Sequence, residues 1–563
     1  MSGSLFSQLD LGKRSLMAQQ AGMNTAGHNI ANINNENFSR QRVDLDPQHA
    51  VRSKFGSGVS LKSVERQTDN FLTQRVIGEQ SKGAGNELEE NGLRRLEALF
   101  AEVEGYGLRG ALNEFWGAWG RLANKPEAEI YRKDLINVSE TLARRIRGMG
   151  TDFHNVRMEL NGRLGERVEK VNQLASQVAN LNARIQQSDR GRGEANDLRD
   201  EREGALKELS RMVKINWVED DDMMINVTVG PGFPLVQGRT ANRLEASFEN
   251  EEVGIYNVKG IDPKGISRDL TDHLGAGELE SIIRMRDKTC VYFIDRLDEL
   301  ASEFAFQINR LHNSGTGLMA SFERLQSSFA LKSDARETPL PFIKDGNFRM
   351  HMVNDDGDIL ETYEIGLIAG QDTLESVVNR INTTVGDPGI LSAEINRDGS
   401  MTMHATGGYN FVLGQDDTDF TVVMGFNNFF ETLNGARDFR INEHLREEPN
   451  LISTGQRMLP GDNSIALEIS QLQFRPTMEG QAITFDEYYN GMLAELGVLI
   501  NRSQEETRNQ KLIIDQFQRL RDEVSSVNMD EEVADMVQYQ RGFEASAKFI
   551  SAVDDLTETV IRM

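Results

Sequence analysis

Apolar residues recur at fixed intervals at both ends of this chain. Near the N-terminus Leu9, Leu16, Met23 and Ile30 fall every seven positions, with Leu5, Ala26 and Ile33 on the neighbouring line. That spacing predicts a helix with a coiled-coil-like seam. Near the C-terminus Met529, Val533, Met536, Gln540, Phe543, Ala547 and Ile550 advance in alternating steps of four and three. A second line of Phe549, Val553, Leu556, Val560 and Met563 takes over on an adjacent strip, as expected when a nearly straight helix carries a 3.5-residue pattern. Asp530, Glu531 and Glu532 open that helix, where carboxylates favour the positive end of the dipole.

Between the ends the period changes several times. Leu164, Val168, Val171, Leu174, Val178, Leu181 and Ile185 mark a helix that stops at Gly191-Arg192-Gly193. A second helical run through Leu198, Leu206 and Leu209 makes a helix hairpin. From Ile215 the pattern alternates: Ile225, Val227 and Val229 share one face of a strand, after a turn at Glu219–Asp222 and before a break at Gly230-Pro231-Gly232. Helix returns with Cys290, Ile294, Leu297, Ala301, Phe304, Ile308 and Leu311. Leu391, Ala393 and Ile395, the turn Arg397–Ser400, then Met401, Met403 and Ala405 predict a hairpin. Asp372 and Glu375 have the spacing of a capping box opening a short helix through Val377 and Ile381. The last long helix, Phe485 to Val524, carries a seam of Leu493, Leu496, Ile500, Ile514, Phe517 and Val524 whose middle is polar at Ser503, Thr507 and Gln510.

The order helix, β insertion, helix, β insertion, helix predicts an α+β multidomain protein: paired terminal coiled-coil helices, a helical inner domain and inserted, mainly β outer domains. The expected divisions are residues 1–60 with 525–563; 61–211 with 273–337 and 446–524; a β unit at 212–272; and a β-rich insertion at 338–445. A length of 563 residues agrees, since single cores stop growing well below that size.

Composition narrows the function classes. With 62 basic against 88 acidic residues, the net charge of -26 argues against nucleic-acid binding, which needs clustered Lys and Arg. One cysteine makes no internal disulfide, cysteine-rich zinc site or CxxC motif, and on the Cys290 line it reads as a small buried hydrophobe. No run of about 18 apolar residues predicts a membrane span. The N-terminus lacks the basic-then-apolar pattern of a signal peptide, so the chain is expected to stay in the cytosol or to leave by a route that needs no cleaved signal. The first 35 residues carry three formal charges, Asp10, Lys13 and Arg14, amid Gln, Asn, Ser and Gly. A polar but uncharged face can be buried without the desolvation cost of ions. The plain alternative is that both ends are core helices of one large domain; the low charge favours pairing with each other and with further copies.

Catalytic and ligand chemistry is not signalled. The eight histidines are scattered, and His404 falls on the outward side of its hairpin. No GxxxxGK[ST] loop or GxSxG elbow occurs. Asn354–Gly357 and Asn396–Gly399 look like calcium loops, but the twelfth positions are Tyr363 and Ala405 where a bidentate Glu is needed. No catalytic, cofactor-binding or metal residue is expected, and no cofactor.

The run Asn24-Thr-Ala-Gly-His-Asn-Ile-Ala-Asn-Ile-Asn34 with Phe38-Ser-Arg-Gln41 resembles the N-terminal signature of bacterial flagellar rod, hook and hook-associated proteins. Ser525–Glu532 with Tyr539–Ala547 resembles the matching C-terminal motif. Asn196-Asp-Leu-Arg-Asp-Glu-Arg202 with Lys207-Glu-Leu209, Gly425-Phe-Asn-Asn-Phe-Phe430 and Gly461-Asp-Asn-Ser464 are similar to the flagellar hook-associated protein 1 family. Where that family has a Pro-Gly turn, Glu36-Asn37-Phe38 stands, and Asn37 is able to supply a left-handed residue.

The resemblance implies a secreted structural subunit of the flagellum, external or periplasmic, forming the hook–filament junction as a ring or helical assembly of copies. It also implies unfolded export through the flagellar type III apparatus. The implied neighbours are the hook protein, a second hook-associated junction protein, the filament cap, and an export chaperone on the C-terminal helix; nucleic acid and membrane are not among them. The expected assembly surface is Leu9, Leu16, Met23, Asn29, Ile30 and Asn32 from one end and Val533, Met536, Phe543 and Ile550 from the other. Both ends are expected to order only on assembly. The rivals are another hook or rod subunit, and a secreted enzyme or adhesin with its activity in 338–445.

Overall fold

The computed structural model describes residues 2–47, 58–100, 107–188, 195–248, 254–318, 321–331, 338–354, 358–385 and 389–562, with side chains from Phe6. The expected break at Gly191–Gly193, the last apolar residue Met563 and most of the loop Asn354–Gly357 lie outside the described residues. Two compact units emerge: Met1–Gly92 with Met158–Asp287 and Ile500–Met563, and Leu93–Arg157 with Lys288–Leu499.

The first unit is built on long helices. The N-terminal helix Ser2–Ala31 leads to an antiparallel hairpin, Gln41–Pro47 with Val59–Arg66, in which Val43 faces Val64 and a bulge follows Asp44. The chain ends in the helix Met529–Arg562. The predicted helix line from Leu164 to Ile185 is buried at every position. On the same helix Asn161, Asn172 and Asn182, about three turns apart, dock the β strands. Asn182 bonds Ile225 on both its donor and acceptor sides, at 2.8 and 3.0 Å; Asn172 does the same to Leu244, and Asn161 bonds the Gly254 carbonyl and the Tyr256 amide. Each amide side chain thus satisfies strand backbone that the sheet leaves unpaired. Ile225, Val227 and Val229 face inward as the alternation predicts, in a four-stranded sheet ordered Ile215–Glu219, Ile225–Val229, Phe233–Gln237, Thr240–Ala241.

The second unit has an aromatic core. Phe115, Trp119, Phe304, Phe429 and Phe430 are buried together, with ring centroids 4.9 to 6.4 Å apart. Asn309 pins this core, donating to the Phe430 carbonyl and accepting from the Phe429 and Phe430 amides. The expected hairpin forms with Leu391 opposite Ala405 and Ala393 opposite Met403, and Arg324–Gln326 adds a third strand beyond it. A second three-stranded sheet has Gly346–Val353 at its centre.

Two local expectations are corrected. The capping box sits one residue later than Asp372 and Glu375: Thr373 is the cap of the helix Leu374–Thr384, exchanging bonds with Ser376. Asp372 instead accepts from Ser376 and pairs with Arg380 at 2.7 Å, a longer-range use that spacing alone does not reveal. At Glu36–Phe38 the chain turns without a left-handed residue. Asn37 is absent from the positive-φ positions; its amide donates to Asn35 Oδ1, and the Phe38 amide to the Asn35 carbonyl. An Asx turn replaces the glycine turn.

Candidate assembly interface

The terminal helices pair with each other, antiparallel. Gly12 lies against Ile550, Ser15 Oγ is 2.8 Å from Ser546 Oγ, Gln19 lies on Gly542, Gly22 on Tyr539, and Asn29 reaches Glu532. Small residues make the contact: a Cβ on Gly12 would sit 2.6 Å from Ile550, and one on Gly22 2.5 Å from the Tyr539 ring. Glycine inside a helix costs about 0.5–1 kcal/mol relative to alanine. Here that cost accompanies close approach, with Ala18 and Ala26 buried on the same face.

The large apolar residues singled out by periodicity lie beside this seam. Leu9, Leu16, Met23 and Ile30 are half-buried, as are Asn32, Met536, Phe543 and Ile550; of these Ile550 reaches the N-terminal helix at Gly12. Val533 is 46% exposed, and with Met529 and Val537 forms a stripe turned away from the partner helix; Phe6 and Met17 are exposed on the N-terminal side. Asn29 is buried, whereas Asn32 donates to the His28 carbonyl and ends its helix. Periodicity does not reveal the seam itself, because it weighs apolar size, and glycine and serine have little. The signal available was the presence of Gly12, Gly22 and Gly542 inside long helices.

The three sequence motifs converge at one end of this pair. Asn29 donates to the Gln41 carbonyl and to Glu532 Oε2, each at 2.9 Å, and accepts from the Gln41 amide. Arg40 holds Glu532 and Glu531 at 2.7 Å each, and its amide bonds the Ser525 carbonyl in the joint between the last two helices. Burial opposes the charge on Arg40, but the two glutamates outweigh it and raise its pKa. The Asn196–Arg202 motif supplies the floor: Asp197 meets Gln41 and His28, and Asn196 bonds the Val64 carbonyl. Arg66 pairs with Asp200 and Glu203 at 2.7 Å each, flanked by Lys207 and the buried Arg521. Burial pushes the Asp200 carboxyl up to about 6 despite Arg66 and the Ser39 amide. Burial raises Glu203 too, but Lys207, Arg66 and Arg521 more than reverse it, and its pKa falls.

A model described as flagellar hook-associated protein FlgK helical domain matches residues 93–323, and one described as flagellar basal body rod FlgEFG protein C-terminal matches residues 520–563. Proteins called flagellar hook-associated protein 1 are similar almost end to end. Those of Salmonella typhimurium and Escherichia coli are 23% identical over 97% of this chain and 98% of theirs, and that of Bacillus subtilis is 23% identical over 99% and 98%. Along almost its whole length, then, the chain is similar to flagellar hook-associated protein 1. The solved structure of the flagellar hook junction protein FlgK from Burkholderia pseudomallei shares its fold, with a TM-score of 0.52 and 15% identity over 81% of this chain and all of that one.

These likenesses support a structural subunit of the bacterial flagellum. Among the described residues, no cluster of His, Cys, Asp and Glu is suited to a metal ion, and no helix is long and apolar enough to cross a membrane. The 338–445 region contributes Phe342, 84% exposed, to an apolar groove with Phe306, Phe329, Val422 and Leu433.

Proposed function

We propose that this subunit forms the junction between hook and filament, and that copies join through the apolar flanks of the terminal helix pair. The observation that carries this is the division of labour on those helices. Small residues are spent on the partner helix of the same chain, while Met529, Val533 and Val537 stay exposed on one helix and Phe6 and Met17 on the other. An uncovered apolar stripe of this kind is the ordinary mark of a surface awaiting a partner. Leu9, Leu16, Met23, Asn29, Ile30, Asn32, Val533, Met536, Phe543 and Ile550 would line or support that surface. The subunit is exported unfolded, and it meets the hook protein, a second junction protein and the filament cap in a flagellum outside the cytoplasm. An export chaperone holds the C-terminal helix beforehand.

The test is Val533→Glu with Val537→Glu, scored for filament attachment while export is assayed separately. Attachment should be lost with export intact; normal attachment would refute the reading. Amide exchange on the free subunit should show little protection at residues 5–33, where ordering awaits assembly. The adhesin reading draws on the Phe342 groove alone, and Phe342→Ser with Leu433→Ser, both on exposed side chains, separates the two, since attachment should survive it.

A further inference from the structure

We propose that the buried Asn29–Glu532 pair, with Arg40, sets the axial register of the terminal helices, a role that rests on the assembly reading above. The seam itself is permissive. Sliding one helix by a heptad, about 10 Å, would bring Gly22 opposite Ser546 and Ala26 opposite Gly542, small residues against small residues. Shape therefore rejects this slip weakly. The polar group does the rejecting. Asn29 and Glu532 are 1% and 2% exposed, and both Glu532 oxygens are engaged, Oε2 by Asn29 and Oε1 by Arg40. In the slipped register Asn29 would face Tyr539, and Glu532 would be left buried without its amide donor. A buried carboxylate stripped of its partners is costly, whereas the same pair correctly met is satisfied. A single buried polar contact fixes coiled-coil register in the same way.

Register matters because each helix carries its own exposed apolar residues. A heptad slip would move Met529, Val533 and Val537 about two turns along the N-terminal helix relative to Phe6 and Met17, and the spacing between the two apolar patches offered to a neighbouring copy would change. Asn29 and Glu532 are positioning residues in this sense.

The test is an intrachain disulfide between Ser15→Cys and Ser546→Cys in the full chain, oxidised in the assembled state; the native Cys290 is buried. The parent should crosslink almost completely. Adding Asn29→Leu and Glu532→Leu should lower the crosslinked fraction relative to free thiol about tenfold, equal to about 1.4 kcal/mol of register preference, with helicity by circular dichroism retained. Glu532→Gln, which keeps an acceptor for Asn29, should crosslink nearly as the parent does. If the double leucine variant loses its helices, Asn29→Asp must lower the yield instead, since it sets two carboxylates against each other. Parent-level crosslinking in the leucine variant, or in Asn29→Asp where that substitutes for it, overturns the proposal. The disulfide reads register inside one chain, and filament attachment in the Val533/Val537 variant reads assembly, so each idea fails on its own measurement.

Discussion

The β-rich domain of the second unit and the terminal helix pair of the first solve the same problem in opposite ways. In the β domain, Phe348, Met350, Ile365, Leu374, Met401, Phe411 and Phe420 are all at most 2% exposed, so large side chains meet one another inside a closed core. Each such burial contributes roughly 1.5–3 kcal/mol. In the terminal pair, glycine, alanine and serine hold the inside, and Val533, Met529 and Phe6 remain outside. The first arrangement is self-sufficient. The second leaves large apolar side chains in water, and the proposed assembly would cover them.

The sharpest way to break this contrast is to truncate one large residue in each region. Phe411→Ala should destabilise the β domain by about 3–5 kcal/mol, read by denaturant unfolding of the free subunit. Val533→Ala should change the same measurement by less than about 0.5 kcal/mol, because the side chain is already half in water.

The β domain and the motif cluster at the end of the terminal pair should respond oppositely to pH. Asp200 is raised from 3.8 to about 6, so the folded motif cluster holds an extra proton between those values, and its stability rises as pH falls from 7 through 6 towards 4. Asp200→Asn should flatten that rise and stabilise the cluster at pH 7 by up to about 3 kcal/mol, seen in amide exchange at residues 196–212. In the β domain, burial and the neighbouring Arg349 hold His351 below the usual 6.5. That group's contribution is lost as pH falls through 6.5 and below, so exchange at 346–353 should speed up where the Asp200 region slows.

The seam glycines should differ from each other. Gly22→Ala meets the rigid Tyr539 ring and should cost about 1–2 kcal/mol net of helix propensity. Gly542→Ala meets only the flexible end of Gln19, at 2.7 Å, and should be close to neutral. Thermal melting of the assembled form would rank them, and equal costs would mean that the seam is looser than its distances indicate.

Much of the architecture was legible because burial and period agree. The Leu164–Ile185 line, the Ile225–Val229 alternation and the Leu391–Ala405 hairpin all follow from which residues must leave water, and they are buried as patterned except in the hairpin, where Ile395 is half-buried and Thr402 is buried too. The Phe485–Val524 seam shows where such reading stops. Its polar middle is covered, with Gln510 bonded to Glu79, but Val524 at its far end is 43% exposed. The Asn161, Asn172 and Asn182 clamps, the shifted cap at Thr373 and the Asx turn at Asn35 were invisible for a different reason. Each depends on which group a short polar side chain meets: for the clamps that partner lies dozens of residues away, and for Thr373 and Asn35 it is one of several nearby groups that spacing does not tell apart.

By itself the sequence determined that the ends are amphipathic helices, that β insertions interrupt the chain, and that its motifs resemble those of a flagellar family. These follow from local spacing, because a helix or strand chooses its buried face within a few residues. Only the tertiary structure decided that the motifs at 29–41, 196–203 and 525–532 form one polar cluster, and that the tight face of the terminal pair is the small-residue face. Hydrogen bonds and close packing are set by distances between segments far apart in the chain, and no periodicity within one segment encodes them.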